Sequence, residues 1–110
     1  MFPQLSLIFL FSLVVIHPFH VSAKTWCVAN TSAASTLLQA NIDWACSEGK
    51  VDCVMINPGG PCFDPDTVIS HASFVMNDFY RNHGSTEECN FSGTGQVVTF
   101  DPSYGGCVYT

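Results

Sequence analysis

The six cysteines of this 110-residue chain are the residues whose type and spacing most clearly indicate a chemistry. They are Cys27, Cys46, Cys53, Cys62, Cys89 and Cys107. In a short exported chain, an even number of cysteines indicates disulfide bonds. A metal site is disfavoured, because no Cys-x-x-Cys pair occurs and because His71 and His83 lack the spacing of a zinc finger. Six cysteines allow fifteen pairings, and the residues alone do not choose among them, although loop entropy favours the short Cys46–Cys53 loop.

Aromatic side chains form a second group that could bind a ligand. Aromatic faces stack on the C–H faces of sugars, whose hydroxyls pair with Asn, Gln and Asp side chains. The rings considered for such a platform are Trp26, Trp44, Tyr80, Tyr104 and Tyr109. The competing interpretation is that aromatic rings fill the thin core of a small domain, and it is favoured for Phe74 and Phe79.

The sequence indicates neither an enzyme nor a bound cofactor. No Gly-x-Ser-x-Gly nucleophile motif occurs, and three disulfides would leave no cysteine to act as a nucleophile. Glycoside hydrolysis needs two carboxylates across a cleft, but nine Asp and Glu residues make some pair inevitable. Asp43 and Asp78 each precede an aromatic residue, and we interpret both as solvated helix residues rather than as catalytic acids.

Residues 1–23 are typical of a secretory signal peptide. The apolar run Leu5–Ile16 is too short to span a bilayer, and Val21-Ser22-Ala23 supplies the small residues of a cleavage site. We therefore expect one mature domain, residues 24–110, that is secreted to the extracellular space or the cell wall. No apolar tail that could signal a lipid anchor follows, so we expect no membrane anchor.

The net charge of −6 limits the partners that the domain could bind. Only Lys24, Lys50 and Arg81 oppose nine acidic residues, which disfavours nucleic acids and anionic membranes. The charge suits a neutral ligand or a basic partner, and we expect a monomer. Asn30 and Asn90 each begin an N-glycosylation sequon.

The hydrophobic pattern predicts two helices. The first covers Thr31–Ser47, with Thr31 or Ser32 as its cap and Gly49 at its end. Its apolar stripe consists of Ala34, Leu37, Leu38, Ile42 and Ala45. The second covers about 65–82, with Asp64 as its N-cap, Pro65 at its first position and Gly84 at its end. Its apolar stripe consists of Val68, Ala72, Val75, Met76 and Phe79.

A small antiparallel element is predicted near the end of the chain. Gln96–Phe100 has the β-branched and aromatic character of a strand, residues 101–106 form a turn, and Cys107–Tyr109 forms a short return strand. The fold class predicted from the residues is therefore a small disulfide-rich α+β domain.

Several multi-residue blocks accompany the six cysteines in a fixed order. They are Thr25-Trp26-Cys27-Val28-Ala29, Leu38-Gln39-Ala40-Asn41-Ile42-Asp43-Trp44-Ala45-Cys46, Asp52-Cys53, Ile56-Asn57-Pro58-Gly59-Gly60-Pro61-Cys62-Phe63, His71-Ala72-Ser73-Phe74, Asn77-Asp78-Phe79-Tyr80, Cys89-Asn90-Phe91-Ser92-Gly93-Thr94 and Asp101-Pro102-Ser103-Tyr104-Gly105-Gly106-Cys107. They cover essentially all of residues 24–110, and they resemble carbohydrate-binding module family 43, the plant callose-binding domain. Members occur within glucan endo-1,3-β-glucosidases, in lipid-anchored callose-binding proteins and as small free secreted modules of the pollen-allergen type, which this chain resembles.

The resemblance implies both a fold and a function. It implies two helices at an angle, a small antiparallel sheet, long coils, and the disulfides Cys27–Cys89, Cys46–Cys53 and Cys62–Cys107. It also implies binding of β-1,3-glucan (callose) in the plant cell wall without hydrolysis. On this basis we predict that aromatic rings form the sugar platform and that amide and acid side chains orient the hydroxyls. The predicted platform is Trp44 and Tyr80, and the predicted orienting residues are Gln39, Asp43 and Asn77.

The second-helix block departs from the family pattern Ser-Tyr-Ala-Phe-Asn-x-Tyr-Tyr-Gln. Phe74 and Phe79 replace tyrosines, Met76 replaces a phenylalanine, and Arg81 replaces a glutamine. Each lost hydroxyl removes a hydrogen bond of ~1 kcal/mol if that position contacts sugar. The alternative function is therefore a secreted protein-interaction module that has lost glucan binding.

Overall fold

The computed structural model describes residues 23–110, so the predicted signal peptide lies outside the described residues except for Ala23. In chain order, its elements are β1 (Trp26–Ala29), α1 (Ser35–Ser47), α2 (Val68–His83) and β2 (Gly95–Val98), with 3-10 turns at Cys53–Ile56, Thr86–Cys89 and Phe91–Gly93. The predicted small α+β class is confirmed. Neither α1 nor α2 has the length and apolar character that crossing a bilayer requires.

Helix α1 begins later than the sequence pattern predicts. Its N-cap is Ala34, which has no side chain able to accept a hydrogen bond, so the predicted cap by Thr31 or Ser32 is wrong. The preceding residues form a separate turn instead, in which the Ala33 N–H donates to the Asn30 carbonyl at 3.1 Å. That turn satisfies the local backbone and delays the start of the helix.

The buried face of α1 is narrower than predicted. It consists of Leu38, Ile42 and Ala45. Ala34 and Leu37, which the sequence pattern placed on the apolar stripe, are exposed. At the other end, a Cβ on Gly49 would lie 2.9 Å from Ala45 Cα, so the chain can turn back closely over the helix only because this residue is a glycine.

Helix α2 starts at Val68, and the predicted start at Pro65 with Asp64 as N-cap is wrong. Thr67 is the N-cap, since its hydroxyl accepts from the Ser70 N–H at 3.3 Å. The Asp64–Pro65 bond is cis and lies before the helix. Gly84 ends the helix as predicted, with a φ of 78° that glycine adopts without strain.

The sheet pairs β2 with β1, in the register Trp26↔Val98 to Ala29↔Gly95. The predicted return strand Cys107–Tyr109 is wrong, because that segment contributes only an isolated bridge between Tyr104 and Cys107. Strand β1 follows the predicted cleavage site and was not predicted as a strand, although its Trp-Cys-Val-Ala sequence has apolar character.

Side chains of α2 accept hydrogen bonds from backbone N–H groups on the edge of β1 that faces away from β2. The Cys27 N–H donates to Asn77 Oδ1 at 3.0 Å, and the Ala29 N–H donates to Ser73 Oγ at 3.0 Å. Four helical residues rise about 6 Å, and two strand residues rise about 6.6 Å. The matched spacings let Ser73 and Asn77 bond alternate residues of the strand.

The same row of contacts continues at the start of β1. The hydroxyls of Tyr80 and Thr25 lie 2.7 Å apart, and Arg81 donates to the carbonyl oxygens of Thr25 and Thr110. Arg81 therefore ties the beginning of the described chain to its end.

Three disulfides join these elements, with the pairing that the family resemblance implies: Cys27–Cys89, Cys46–Cys53 and Cys62–Cys107. Their partners are 62, 7 and 45 residues apart. In the chain-entropy model, the short loop stabilises the fold by about 2.5 kcal/mol and each long loop by about 4 kcal/mol. Such stabilisation matters here because a domain of this size buries a limited core.

Candidate functional site

A cleft of about 290 Å³ lies between α1, α2 and the 3-10 turns that precede β2. Its lining residues are Asn41, Trp44, Phe79, Glu87, Glu88, Phe91 and Ser92. We call it the Trp44 cleft. It combines an apolar floor of three rings with a polar wall that contains two carboxylates, the kind of mixed lining that small-molecule and sugar sites share.

The aromatic floor holds Trp44 in a fixed orientation. The Trp44 ring lies edge-on to Phe79, with centroids 5.1 Å apart, and edge-on to Phe91 at 6.4 Å. Phe79 and Phe91 are themselves 5.6 Å apart, and His83 stacks on Phe79 at 3.9 Å. Although it is packed in this way, Trp44 keeps 45% of its surface exposed. An exposed ring that is held by its neighbours can stack on a ligand with little loss of side-chain entropy.

The polar wall is built by the segment that follows α2. Asn41 Nδ2 donates to Thr94 Oγ1 at 2.8 Å, and that hydroxyl donates to the Phe91 carbonyl at 2.7 Å. These bonds join α1 to a tight turn in which Phe91 and Ser92 have positive φ angles of 45° and 55°. The cleft wall therefore depends on an unusual backbone conformation that Asn41 helps to hold.

The two carboxylates of the wall are ready to accept hydrogen bonds. Ser85 Oγ approaches Glu87 Oε1 at 3.4 Å, which leaves most of the acceptor capacity of that carboxylate free. Glu88 has no side-chain hydrogen-bond partner within residues 23–110. No lysine or arginine lines the cleft, so the carboxylates are open to hydroxyl or cationic groups.

The structure places only one of the five predicted sugar contacts in this cleft, and that residue is Trp44. Gln39 and Asp43 are exposed and bonded to each other, with Gln39 Nε2 donating to Asp43 Oδ1 at 3.0 Å. Successive helix residues project about 100° apart, so this pair points to a different side of α1 from Trp44. Gln39 and Asp43 form a polar ridge beside the cleft rather than a part of it.

Asn77 and Tyr80 do not fit the prediction that they contact sugar. Asn77 is 1% exposed, and Tyr80 is also buried. Asn77 Oδ1 accepts from the Cys27 N–H of β1, and the Tyr80 hydroxyl pairs with the side-chain hydroxyl of Thr25, just before β1. Neither residue lines the Trp44 cleft, and the bonds that the structure gives them support the fold.

The departures from the family pattern have different positions in the structure. Phe74 and Met76 are buried, so their chemistry concerns the core. Arg81 bonds backbone carbonyls at both ends of the described chain. Only Phe79 lines the Trp44 cleft. Three of the four departures therefore lie away from the candidate site.

Sequence reasoning missed the acidic wall. Glu87 and Glu88 belong to a 3-10 turn that follows α2, where the hydrophobic pattern gives no signal. The signal available was their position directly before Cys89, because a disulfide fixes the residues beside it.

Asn90 is exposed between Glu88 and Phe91, so a glycan on this sequon would stand at the rim of the cleft. In the other sequon, Asn30 Nδ2 donates to the Gly93 carbonyl at 3.2 Å.

The described residues offer little for acid–base or metal chemistry. No cluster of three metal-ligating residues occurs in residues 23–110. Burial raises the pKa of the Asp78 carboxyl, and the nearby charge of Asp52 raises it further. Asp78 does not line the Trp44 cleft.

Comparison with known proteins places this geometry in a family. Residues 25–96 match the X8 domain. The major pollen allergen Ole e 10 of Olea europaea is 45% identical over 87 residues, which cover 78% of this chain and 71% of the allergen. Plasmodesmata callose-binding protein 2 of Arabidopsis thaliana is 41% identical over 101 residues, which cover 91% of this chain and 51% of that protein.

Longer relatives contain the matching region as a small part. Glucan endo-1,3-beta-glucosidase 12 of Arabidopsis thaliana is 48% identical over 87 residues, which cover 78% of this chain. The match spans only 16% of that protein. The X8 match covers more than half of the chain, and the 45%-identical allergen is covered over more than two thirds of its length. The chain therefore belongs to the X8 domain family, the carbohydrate-binding module family 43 that its cysteine blocks resemble.

Proposed function

We propose that this protein is a non-catalytic module that binds β-1,3-glucan through the Trp44 cleft. The observation that carries the proposal is the half-exposed Trp44 ring, held by two other rings beside two free carboxylates. The names of the relatives support the choice of ligand, since they describe callose-binding proteins and glucan endo-1,3-beta-glucosidases. Because callose is a β-1,3-glucan, these names point to one polysaccharide.

In the proposed complex, the C–H face of a glucose unit stacks on Trp44. Hydroxyls at the edge of the sugar donate to Glu87 and Glu88, which offer charged acceptors and therefore stronger hydrogen bonds than neutral groups would. We still predict that Gln39 and Asp43 contact sugar hydroxyls. They would do so where the glucan chain continues past the cleft and over α1. A single shallow site of this kind binds weakly, because few groups are fully desolvated.

We propose that the module does not hydrolyse the glucan. Retaining and inverting glycosidases both need a paired acid and nucleophile or base across the bond that breaks. In the Trp44 cleft, the two carboxylates are consecutive residues of one turn and lie on the same wall. The glucosidase relatives are several times longer than the segment they share with this chain, which fits a binding role for the shared segment.

We also propose that the protein is secreted to the plant cell wall as a monomer after removal of residues 1–23. Three disulfides require an oxidising compartment, which supports export. N-terminal sequencing of the protein from the culture medium of plant cells tests the cleavage site, and sedimentation tests the monomer.

The test of binding is retention on insoluble β-1,3-glucan, with cellulose and chitin as controls. The proposal predicts selective retention of the disulfide-bonded, deglycosylated protein on the β-1,3-glucan and no release of reducing sugar from soluble laminarin. A folded protein that passes through all three polysaccharides would contradict the proposal and favour a protein-interaction module. Release of reducing sugar by pure protein would contradict the non-catalytic role.

A further inference from the structure

A second cleft of about 270 Å³ lies on a different part of the surface. Its lining residues are Val28, Ala29, Thr31, Ile69, Ser70, Ser73, Gln96, Phe100, Pro102 and Tyr109. We call it the Phe100 cleft. It shares no lining residue with the Trp44 cleft, and it takes its walls from the sheet, the N-terminal half of α2 and the C-terminal segment.

Helix α2 separates the two clefts. Ser73 lines the Phe100 cleft, and Phe79 lines the Trp44 cleft. Six residues of helix place these two positions about 9 Å apart along the axis and about 120° apart around it. A ligand in one cleft would therefore leave the other cleft open.

The Phe100 cleft offers an apolar face and hydroxyl or amide groups together. Phe100 is 65% exposed, so much of its ring is available to a ligand. The Gln96 side chain is exposed beside it, and no side-chain hydrogen bond occupies its amide within residues 23–110. At the rim, Ser70 Oγ and the Tyr104 hydroxyl lie 3.2 Å apart.

The Tyr109 hydroxyl is a polar group that a ligand in this cleft could bond. Tyr109 lines the cleft although the residue as a whole is only 5% exposed. The hydrogen bond that the structure gives Tyr109 within residues 23–110 is made by its backbone N–H, so its hydroxyl is open to a ligand. The Tyr109 ring is fixed against Phe74, edge-on at 5.4 Å. Its N–H donates to Ser103 Oγ at 2.9 Å, and that hydroxyl donates to Asp101 Oδ1 at 2.6 Å.

Burial raises the pKa of the Tyr109 hydroxyl, so the group stays protonated in the physiological range. It can therefore donate a hydrogen bond as well as accept one. Among residues 23–110, Trp26 Nε1 is the only fully buried side-chain polar atom without a partner, so the Tyr109 hydroxyl keeps contact with the cleft surface. The open side of the cleft is where a partner for this hydroxyl can enter.

The lining also indicates the charge of the ligand. No aspartate, glutamate, lysine or arginine lines the Phe100 cleft. A charged peptide would find no counter-charge there, whereas a neutral ligand that carries both C–H faces and hydroxyls would find an exposed ring, an amide and a hydroxyl. A neutral sugar chain has that combination.

We propose that the Phe100 cleft is a second glucan-binding site, so that one domain can hold two β-1,3-glucan chains at once. This inference rests on the proposed function for the class of ligand, but not on the Trp44 cleft for its location. With two separate sites, the protein would cross-link glucan chains, and its retention on a polymer would exceed the affinity of either site.

The test is an NMR titration of the disulfide-bonded, deglycosylated, ¹⁵N-labelled protein with laminarihexaose. Amide signals of Val28, Gln96 and Phe100 report on the second site, and those of Trp44 and Ser92 report on the first. We expect both groups of signals to shift, each with its own titration midpoint. Binding at two sites would also give a calorimetric stoichiometry of two hexasaccharides per protein.

Two substitutions separate the sites. Phe100→Ala is expected to weaken the second titration about tenfold or more, through loss of the stacked ring, and to leave the Trp44 signals unchanged. Val108→Ala is the matched control, because Val108 is an exposed apolar residue in neither cleft. It is expected to leave both titrations unchanged.

Each result decides between the two proposals. If the Trp44 signals shift and the Phe100-cleft signals do not, the second site is wrong and the proposed function stands. If only the Phe100-cleft signals shift, this cleft is a glucan site and the assignment of binding to Trp44 is wrong. If neither group shifts in the folded protein, both proposals are overturned.

Discussion

Replacing Asn77 with alanine should destabilise the protein without removing its glucan binding. Asn77 is buried on α2, and its side-chain oxygen accepts from the Cys27 N–H at 3.0 Å in the interior. The Cys27 N–H faces away from β2, so no strand can replace the lost acceptor. Alanine would leave this backbone donor buried and unsatisfied.

The size of the effect follows from three contributions. A buried unsatisfied N–H costs about 1–3 kcal/mol. The removed side-chain atoms leave a small cavity that costs about 1 kcal/mol more. Alanine has a higher helix propensity than asparagine, which offsets about 0.7 kcal/mol. We expect a net loss of about 1.3–3.3 kcal/mol, or a fall in Tm of roughly 5–25 °C for a domain of this size.

The assay is equilibrium unfolding in urea with the disulfides intact, and the matched control is Asn82→Ala. Asn82 lies on the same helix but is exposed, so its replacement reports the propensity gain alone. We expect Asn82→Ala to be neutral or slightly stabilising. The two variants should have equal m-values, because both unfold the same surface.

A free energy of unfolding for Asn77→Ala within about 0.5 kcal/mol of that for Asn82→Ala would refute the reasoning, since changes at ordinary surface positions fall in that range. It would mean that the Cys27 N–H does not depend on Asn77. Loss of glucan binding by folded Asn77→Ala, measured well below its Tm, would restore Asn77 as a sugar contact.

Two further substitutions test other features. The raised pKa of Asp78 means that the folded state binds its proton more tightly than the unfolded state, so stability falls as the pH rises above the ordinary value of 3.8. Asp78→Asn should therefore stabilise the protein at pH 7 and lose that advantage below about pH 4, as measured by urea unfolding at both pH values. A stability gain of the same size at pH 7 and pH 3 would contradict this reasoning. A Cβ on Gly95 would overlap the Cys89 carbonyl oxygen, whereas a Cβ on Gly106 meets nothing within 4 Å. Gly95→Ala should therefore lower the free energy of unfolding by about 1–3 kcal/mol. A loss of stability no larger than that caused by Gly106→Ala would contradict this packing.

The sequence predicted the helices from side-chain periodicity but misplaced their starts. Periodicity locates the middle of a helix, where Ile42 and Val75 must face the core. The ends depend on competing hydrogen bonds, and Thr67 rather than Asp64 is placed to accept from the helix. The family resemblance supplied the disulfide pairing, which residue spacing alone does not determine.

The partner of β2 was not predictable in the same way. A four-residue strand near the N-terminus gives a weak signal, whereas Cys107–Tyr109 follows a clear turn and looked like the natural partner. The long-range contacts that decide the pairing are the Cys27–Cys89 disulfide and the bonds from α2 to β1. None of these contacts is local in the sequence.

The candidate site was predicted in part. Trp44 was identified because of its chemistry, and it lies in the cleft. Asn77 was selected for the same kind of reason, but an amide that bonds sugar and an amide that bonds buried backbone have the same sequence signal. Glu87 and Glu88 were missed, because turns that are shaped by disulfides have no periodicity from which their exposure can be inferred.

The central claim is that the Trp44 ring binds β-1,3-glucan, and calorimetric titration of Trp44→Ala with laminarihexaose tests it most directly. Leu37→Ala is the control, because Leu37 is an apolar residue on the same helix, 54% exposed, outside the cleft. Trp44→Phe keeps an aromatic ring at this position, so it shows whether a loss of binding by Trp44→Ala comes from the lost ring or from misfolding.

We predict that folded Trp44→Ala loses binding at this site by about tenfold or more, the loss of a stacked ring. Trp44→Phe should retain part of the affinity, and Leu37→Ala should bind like the unaltered protein. Unchanged affinity and stoichiometry for Trp44→Ala would contradict the account, because the feature on which the proposed site rests would then play no part in binding.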